Sequence, residues 1–164
     1  MNIREKYNIF DDEYYSYIKD LLENELVVGM DSFIQHGFTT TLKHCIDVSY
    51  KSYKIAKKLN LDYVSAARAG LLHDFYLYDW HELEKEKNLF KKHGYVHPTI
   101  ALNNAKENFE LTELEEDIIS KHMWPLTLRS FPKYRESMLV SFVDKYTSTK
   151  ETVHPYLKII RRYV

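Results

Sequence analysis

Four imidazoles and two carboxylates stand out in the sequence: His44, the adjacent pair His73 and Asp74, then His97, His122 and Asp144. They follow one another at steps of 22 to 29 positions, about one helical hairpin per step. Successive antiparallel helices can therefore bring all six to one level of a bundle. Taken singly, each has an ordinary reading as a hydrogen-bonded polar group in a core. Taken together they make a set of metal donors. Cys45 is the single cysteine, which excludes an intrachain disulfide and every Cys-rich zinc motif. A site of imidazole and carboxylate suits one or two divalent ions such as Fe, Mn, Zn or Ni.

The spacing of apolar residues supplies the elements that must hold these groups. Three- and four-residue steps dominate and period-two alternation is scarce, so the chain reads as all-α, one helical bundle. A first helix is expected over about residues 11–25, capped by Asp11 or Asp12, and a second from Val27 to Gln35, closed by a turn at His36-Gly37. Thr41 to Leu59 and the segment that Asp62 caps form an antiparallel pair, the second helix ending at His73-Asp74. That ending matters, because adjacent residues point about 100° apart on a regular helix and can share a site only where the helix stops. A charged helix is expected from Trp80 to Lys87. Pro98 opens the next helix, which runs to about Phe109. Thr112 and Glu115 form a capping box for a helix ending near His122. Along it the stripe Leu111, Leu114, Ile118 leads to His122, which predicts an inward imidazole. A long helix over about Lys133 to Lys150 carries Val140 and, one turn on, Asp144, where burial is costly unless the carboxylate is paired or metal-bound. A tail helix is expected from Pro155 to Tyr163.

In this order and spacing the six residues resemble the HD-domain superfamily of metal-dependent phosphohydrolases, whose signature is a His, a His-Asp doublet and a distant Asp on helices. His44 in Leu42-Lys43-His44-Cys45 is similar to the first ligand, Gly70-Leu71-Leu72-His73-Asp74 to the doublet, and Val143-Asp144-Lys145 to the final Asp. His97-Pro98-Thr99-Ile100-Ala101 and Ile118-Ile119-Ser120-Lys121-His122 resemble the segments that add two histidines in the binuclear branch. The resemblance covers about residues 35–150. It implies a single HD-like domain over 1–164, with an N-terminal helix and a C-terminal tail helix around that core. It also implies six metal ligands, with Asp74 bridging two ions and carrying the catalysis, and hydrolysis of a phosphomonoester or phosphodiester of a nucleotide or similar small metabolite. Neither the Glu-Asp pair of (p)ppGpp hydrolases nor the Gly-Tyr-Pro motif of cyclic di-GMP phosphodiesterases follows, so no substrate carries over from those branches. Two alternatives accompany this reading: a diiron oxygenase of the same superfamily, and a non-catalytic ligand-binding module, which predicts missing ligands.

A phosphorylated small molecule calls for cations, and Arg68, Lys121, Arg129 and Lys145 lie near the proposed ligands in sequence. Lys145, next to Asp144, is the first choice. His36 and His93 could line the entrance, though their loop settings favour exposure; His81 and His154 are expected on the surface, Cys45 buried, and Trp124-Pro125 either packed or forming an aromatic wall. With 23 Lys and Arg against 24 Asp and Glu, the chain has no global electrostatic support for nucleic acid binding. No apolar stretch approaches the ~20 residues that span a bilayer, and the start lacks the apolar region of a secretion signal. A cytoplasmic protein without a membrane partner is the expectation.

Overall fold

The computed structural model describes residues 3–80, 93–128 and 130–160, with side chains as far as residue 153. Helices α1 (Ile3–Lys6), α2 (Asp12–Leu22) and α3 (Glu25–Gly29) lead through a 3-10 turn, Met30–Ser32, into a small antiparallel hairpin, β1 (Ile34–His36) and β2 (Thr39–Thr40). Then follow α4 (Thr41–Lys58), α5 (Tyr63–Leu72), α6 (His93–Asn108), α7 (Glu113–Lys121) and α8 (Arg135–Ile160). The fold is all-α apart from this hairpin. No helix among the described residues is long and apolar enough to cross a membrane.

Local chemistry sets the boundaries. Asp11 accepts from the Tyr14 amide and starts α2, and Asn24 accepts from the amides of Leu26 and Val27 and starts α3. The side chains of Thr40 and Asp62 cap α4 and α5 in the same way, and the Thr112–Glu115 capping box is complete, both reciprocal bonds being present. Each cap satisfies amide groups that have no partner within the helix.

Helix α4 packs along α5 and α8, α5 lies on α7 and α2, and α7 packs on α8 and α6. A Cβ on Gly70 would stand 3.0 Å from Ser49 Cα, so only glycine lets α5 approach α4 this closely. Leu42, Cys45, Val48, Leu71, Leu72, Ile118, Ile119 and Val140 are buried in one apolar cluster beside the six donor residues.

Four expectations change. The segment Val27 to Gln35 is not one helix: α3 ends at Gly29, and after the 3-10 turn the chain is extended from Phe33 (φ −112°, ψ 139°) into β1. Gly37, at φ 58°, makes the turn of the hairpin. Helix α6 begins at His93, so Pro98 lies inside it rather than at its start. Helix α8 continues through Pro155 to Ile160, with no separate tail helix before that point. The first helix ends at Leu22 because Asn24 caps its successor. The helix expected from Trp80 to Lys87 falls, beyond Trp80, outside the described residues, as do His81 and the last residues of the expected tail helix.

Candidate metal centre

The six donor residues come from five parts of the bundle and meet at one place. His44 projects from α4, His97 from α6 and Asp144 from α8, while His73 and His122 are the residues that follow the last turns of α5 and α7. Asp74 follows His73, past the end of the helix. None of the six is more than 6% exposed.

Two of these histidines use one local device. A helix C-terminus leaves carbonyls without partners. His73 Nδ1 lies 2.8 Å from Gly70 O and His122 Nδ1 lies 2.8 Å from Ile119 O. His97 Nδ1 sits 2.7 Å from His93 O, and His44 Nδ1 sits 2.9 Å from a Glu151 carboxylate oxygen. All four partners can only accept, so each Nδ1 donates, and in the neutral ring each Nε2 keeps its lone pair. Fixing the tautomer through the far nitrogen is how proteins orient histidine ligands toward metals.

The four Nε2 atoms face the two carboxylates in two sets, each with donor atoms within 4.8 Å of one another: His44, His73 and Asp144, and then Asp74, His97 and His122. In the inner set, Asp144 Oδ1 is 3.1 Å from His44 Nε2 and 3.7 Å from His73 Nε2. In the outer set, Asp74 Oδ1 is 3.1 Å from His97 Nε2 and 3.5 Å from His122 Nε2. The other oxygen, Asp74 Oδ2, faces the inner set at 3.4 Å from His73 and 3.9 Å from His44. Asp74 thus lies between the sets with one oxygen toward each.

This arrangement fits divalent ions. Ligands at ~2.0–2.2 Å from a common ion stand roughly 3–3.5 Å from each other, close to the separations found. His73 Nε2 and Asp74 Oδ1 are buried without any hydrogen-bond partner. His97 Nε2 and His122 Nε2 are 2.7 Å apart, two lone pairs in contact that only a shared proton or a cation relieves. The electrostatics agree. Burial opposes charge on His44, yet its hydrogen bonds to Asp144 and Glu151 raise its pKa to about 10. Burial likewise opposes charge on Asp74 and Asp144, but the neighbouring histidines hold both carboxyl groups well below the usual range. Burial and the nearby His97 push His122 down. The two carboxylates thus keep their charge in a buried site, which suits a cation.

A cavity of about 280 Å³ opens on the outer set, where Asp74, His97, His122 and Asp144 form part of its wall. Lys145 also lines it, with Nζ 2.9 Å from Asp144 Oδ2 and donating to His122 O. A separate cavity of about 220 Å³, between residues 7–11 and α4, contains none of the six.

The other expected cations lie elsewhere. Arg68 pairs with Asp20 at 2.7 Å and Glu115 at 3.3 Å, tying α2 to α5 and α7, and does not line the cavity. Lys121 donates to Phe131 O and sits 4.0 Å from Asp117, also outside it. Arg129 lies outside the described residues. His36 and His93, expected to be exposed, line the cavity and are only partly exposed. His93 stacks on His97 with ring centres 4.3 Å apart and on Trp80 at 5.2 Å. Cys45 is fully buried, as expected. Trp124 packs edge-on against Phe131 and Phe142 rather than walling the cavity.

Two residues of the centre escape sequence reasoning. Gln35 is buried and donates to Asp74 Oδ2 at 2.6 Å, and Glu151 holds His44. Glu151 lies seven positions after Asp144, two turns along one helix face, a signal the sequence did carry. Gln35 had none while its segment read as helix.

A model of the HD domain matches residues 41–149. No curated protein and no solved structure matches the chain.

Proposed function

The chain belongs to the HD domain family, and from that premise we propose that it is a metal-dependent phosphohydrolase acting on a small phosphorylated metabolite in the cytoplasm. The observation that carries this reading is Asp74, a buried carboxylate with one oxygen toward His44 and His73 and the other toward His97 and His122. We assign His44, His73, Asp144 and Asp74 Oδ2 to one divalent ion and His97, His122 and Asp74 Oδ1 to a second. Such ions would supply Lewis acidity to acidify a water and polarise phosphoryl oxygens.

The chain's own groups do the rest. The Nδ1 bonds fix each imidazole with Nε2 toward the site, and the proton that the carboxylates favour on His44 must leave before that ring can hold a cation. Asp74 and Asp144 offset the charge of the cations in a site that excludes bulk water. Lys145, beside Asp144 on the cavity wall, places a positive charge where a phosphoryl group enters. The cavity, at about 280 Å³, is at the low end for small-molecule sites and favours a compact phosphoester.

The test is to strip the protein with chelator, reload it separately with Mn, Fe, Ni or Zn, and assay phosphomonoesters and phosphodiesters for product release. Hydrolysis that returns with metal, and is absent in Asp74→Asn, supports the proposal. A loaded protein inactive on the whole panel contradicts it. The nitrogen-rich donor set also suits iron, and aerobic, iron-dependent oxygen uptake with a substrate lacking a hydrolysable phosphate identifies the oxygenase alternative instead.

A further inference from the structure

The hairpin that precedes α4 lies before the matched span of 41–149, yet it sends a side chain into the centre. Strand alternation turns Gln35 inward between Ile34, which is exposed, and His36. The Gln35 amide is held at both ends. Its Oε1 accepts from Tyr76 Oη and lies 3.4 Å from Thr41 Oγ1. Its Nε2 donates to Asp74 Oδ2 at 2.6 Å. The reverse orientation would set a carbonyl oxygen against a carboxylate oxygen, so these partners admit one orientation of the amide.

The other close neighbours of the Asp74 carboxylate oxygens are the donor histidines themselves. The terminal torsion of an aspartate is broad and two-fold, and Asp74 Oδ1 has no hydrogen-bond partner. Among the described residues, the Gln35 amide donates to this carboxylate from outside the donor set. Without it, the carboxylate can turn away from the plane that gives one oxygen to each half.

We propose that Gln35 is a positioning residue: anchored by Tyr76 and Thr41, it holds the Asp74 carboxylate in the orientation that joins the two metal sites. The role rests on the metal reading above. It makes the hairpin a working part of the centre rather than a decoration on the family core.

The test is Co²⁺ titration of chelator-stripped protein, read by visible absorption and by competition with a chelator of known affinity. Gln35→Leu, folded by circular dichroism, is expected to bind Co²⁺ about 10- to 100-fold more weakly, the usual cost of losing an outer partner of a metal ligand, with an altered visible spectrum. Tyr76→Phe should weaken binding less and in the same direction, and should add nothing in the Gln35→Leu background because it acts through the same amide. A purely structural role moves thermal stability but not the Co²⁺ spectrum. Wild-type affinity and spectrum in folded Gln35→Leu overturn the proposal. If Gln35→Leu does not fold, Tyr76→Phe decides alone: unchanged affinity and spectrum overturn it. Wild-type protein that takes up no Co²⁺ overturns the metal reading as well, which separates the two failures.

Discussion

Two faces of α4 bury polar groups, and they do so differently. On one face, Tyr14 donates to Ser49 Oγ at 2.8 Å and Ser49 donates onward to Ala67 O at 2.6 Å. Tyr14, Tyr17, Tyr53 and Tyr63 pack around this chain with ring centres 5.3–6.4 Å apart. There the Tyr14–Ser49–Ala67 chain is satisfied from within, although Ser52 Oγ nearby has no partner. On the other face, His44 belongs to a cluster in which lone pairs face carboxylates. Among the described residues, four buried side-chain atoms lack a partner: Ser52 Oγ, His73 Nε2, Asp74 Oδ1 and Glu151 Oε1. Three of these belong to the donor cluster or to its support. Unpaired buried polar atoms cost roughly 1–3 kcal/mol each, so this face is arranged for something other than its own stability. The tyrosine face builds the fold, and the histidine face is a candidate site for cations.

The strongest way to break this contrast is Asp74→Asn. It keeps the size but removes the charge that both halves share, so metal content and turnover should collapse, by more than the ~10–100-fold cost of an outer partner, while circular dichroism stays helical. Full metal occupancy with normal turnover would put the two faces on the same footing.

Glu151→Gln sharpens the comparison within the histidine face. A Gln carbonyl still accepts from His44 Nδ1 but without charge, so the imidazole becomes a poorer donor. Metal affinity measured by competition should fall about 10-fold, the lower end for such partners, with secondary structure unchanged.

The tyrosine face should respond in the opposite sense. Gly70→Ala forces a methyl to 3.0 Å from the Ser49 backbone, an overpacking expected to cost about 1–3 kcal/mol in denaturant unfolding. Because Gly70 O also holds His73 Nδ1, a small loss of metal affinity should accompany it. The smallest effect is expected from Tyr14→Phe, which removes one hydrogen bond, costs about 0.5–1.5 kcal/mol, and leaves metal content untouched. A Tyr14→Phe protein that lost its metal would show the two faces to be one network.

The contrast also explains what could be read from sequence. Helices α4, α5 and α7 were legible because their apolar stripes and side-chain caps agree, and His122 was legible because it prolongs the stripe through Ile118. The doublet was placed at a helix end, where His73 does terminate α5. Gln35 was hidden because a five-residue helix, a 3-10 turn and a three-residue strand are too short to show a period. Arg68 does not reach the cavity as a phosphate-binding cation because nearness in sequence to His73 says nothing of direction: its side chain leaves α5 toward Asp20 and Glu115. Pro98 suggested a helix start, but its ring is tolerated inside α6.

The central claim is that these six side chains hold two divalent ions on either side of Asp74. A crystal structure of protein loaded with Mn²⁺ or Zn²⁺, with anomalous difference maps at the metal edge, measures this directly. The account predicts two peaks about 3.5–4 Å apart, the usual separation in two-metal sites, one beside His44, His73 and Asp144 and the other beside His97 and His122, with an Asp74 oxygen on each. Maps without a peak at either position, with His97 and His122 still in direct contact at 2.7 Å, would contradict it.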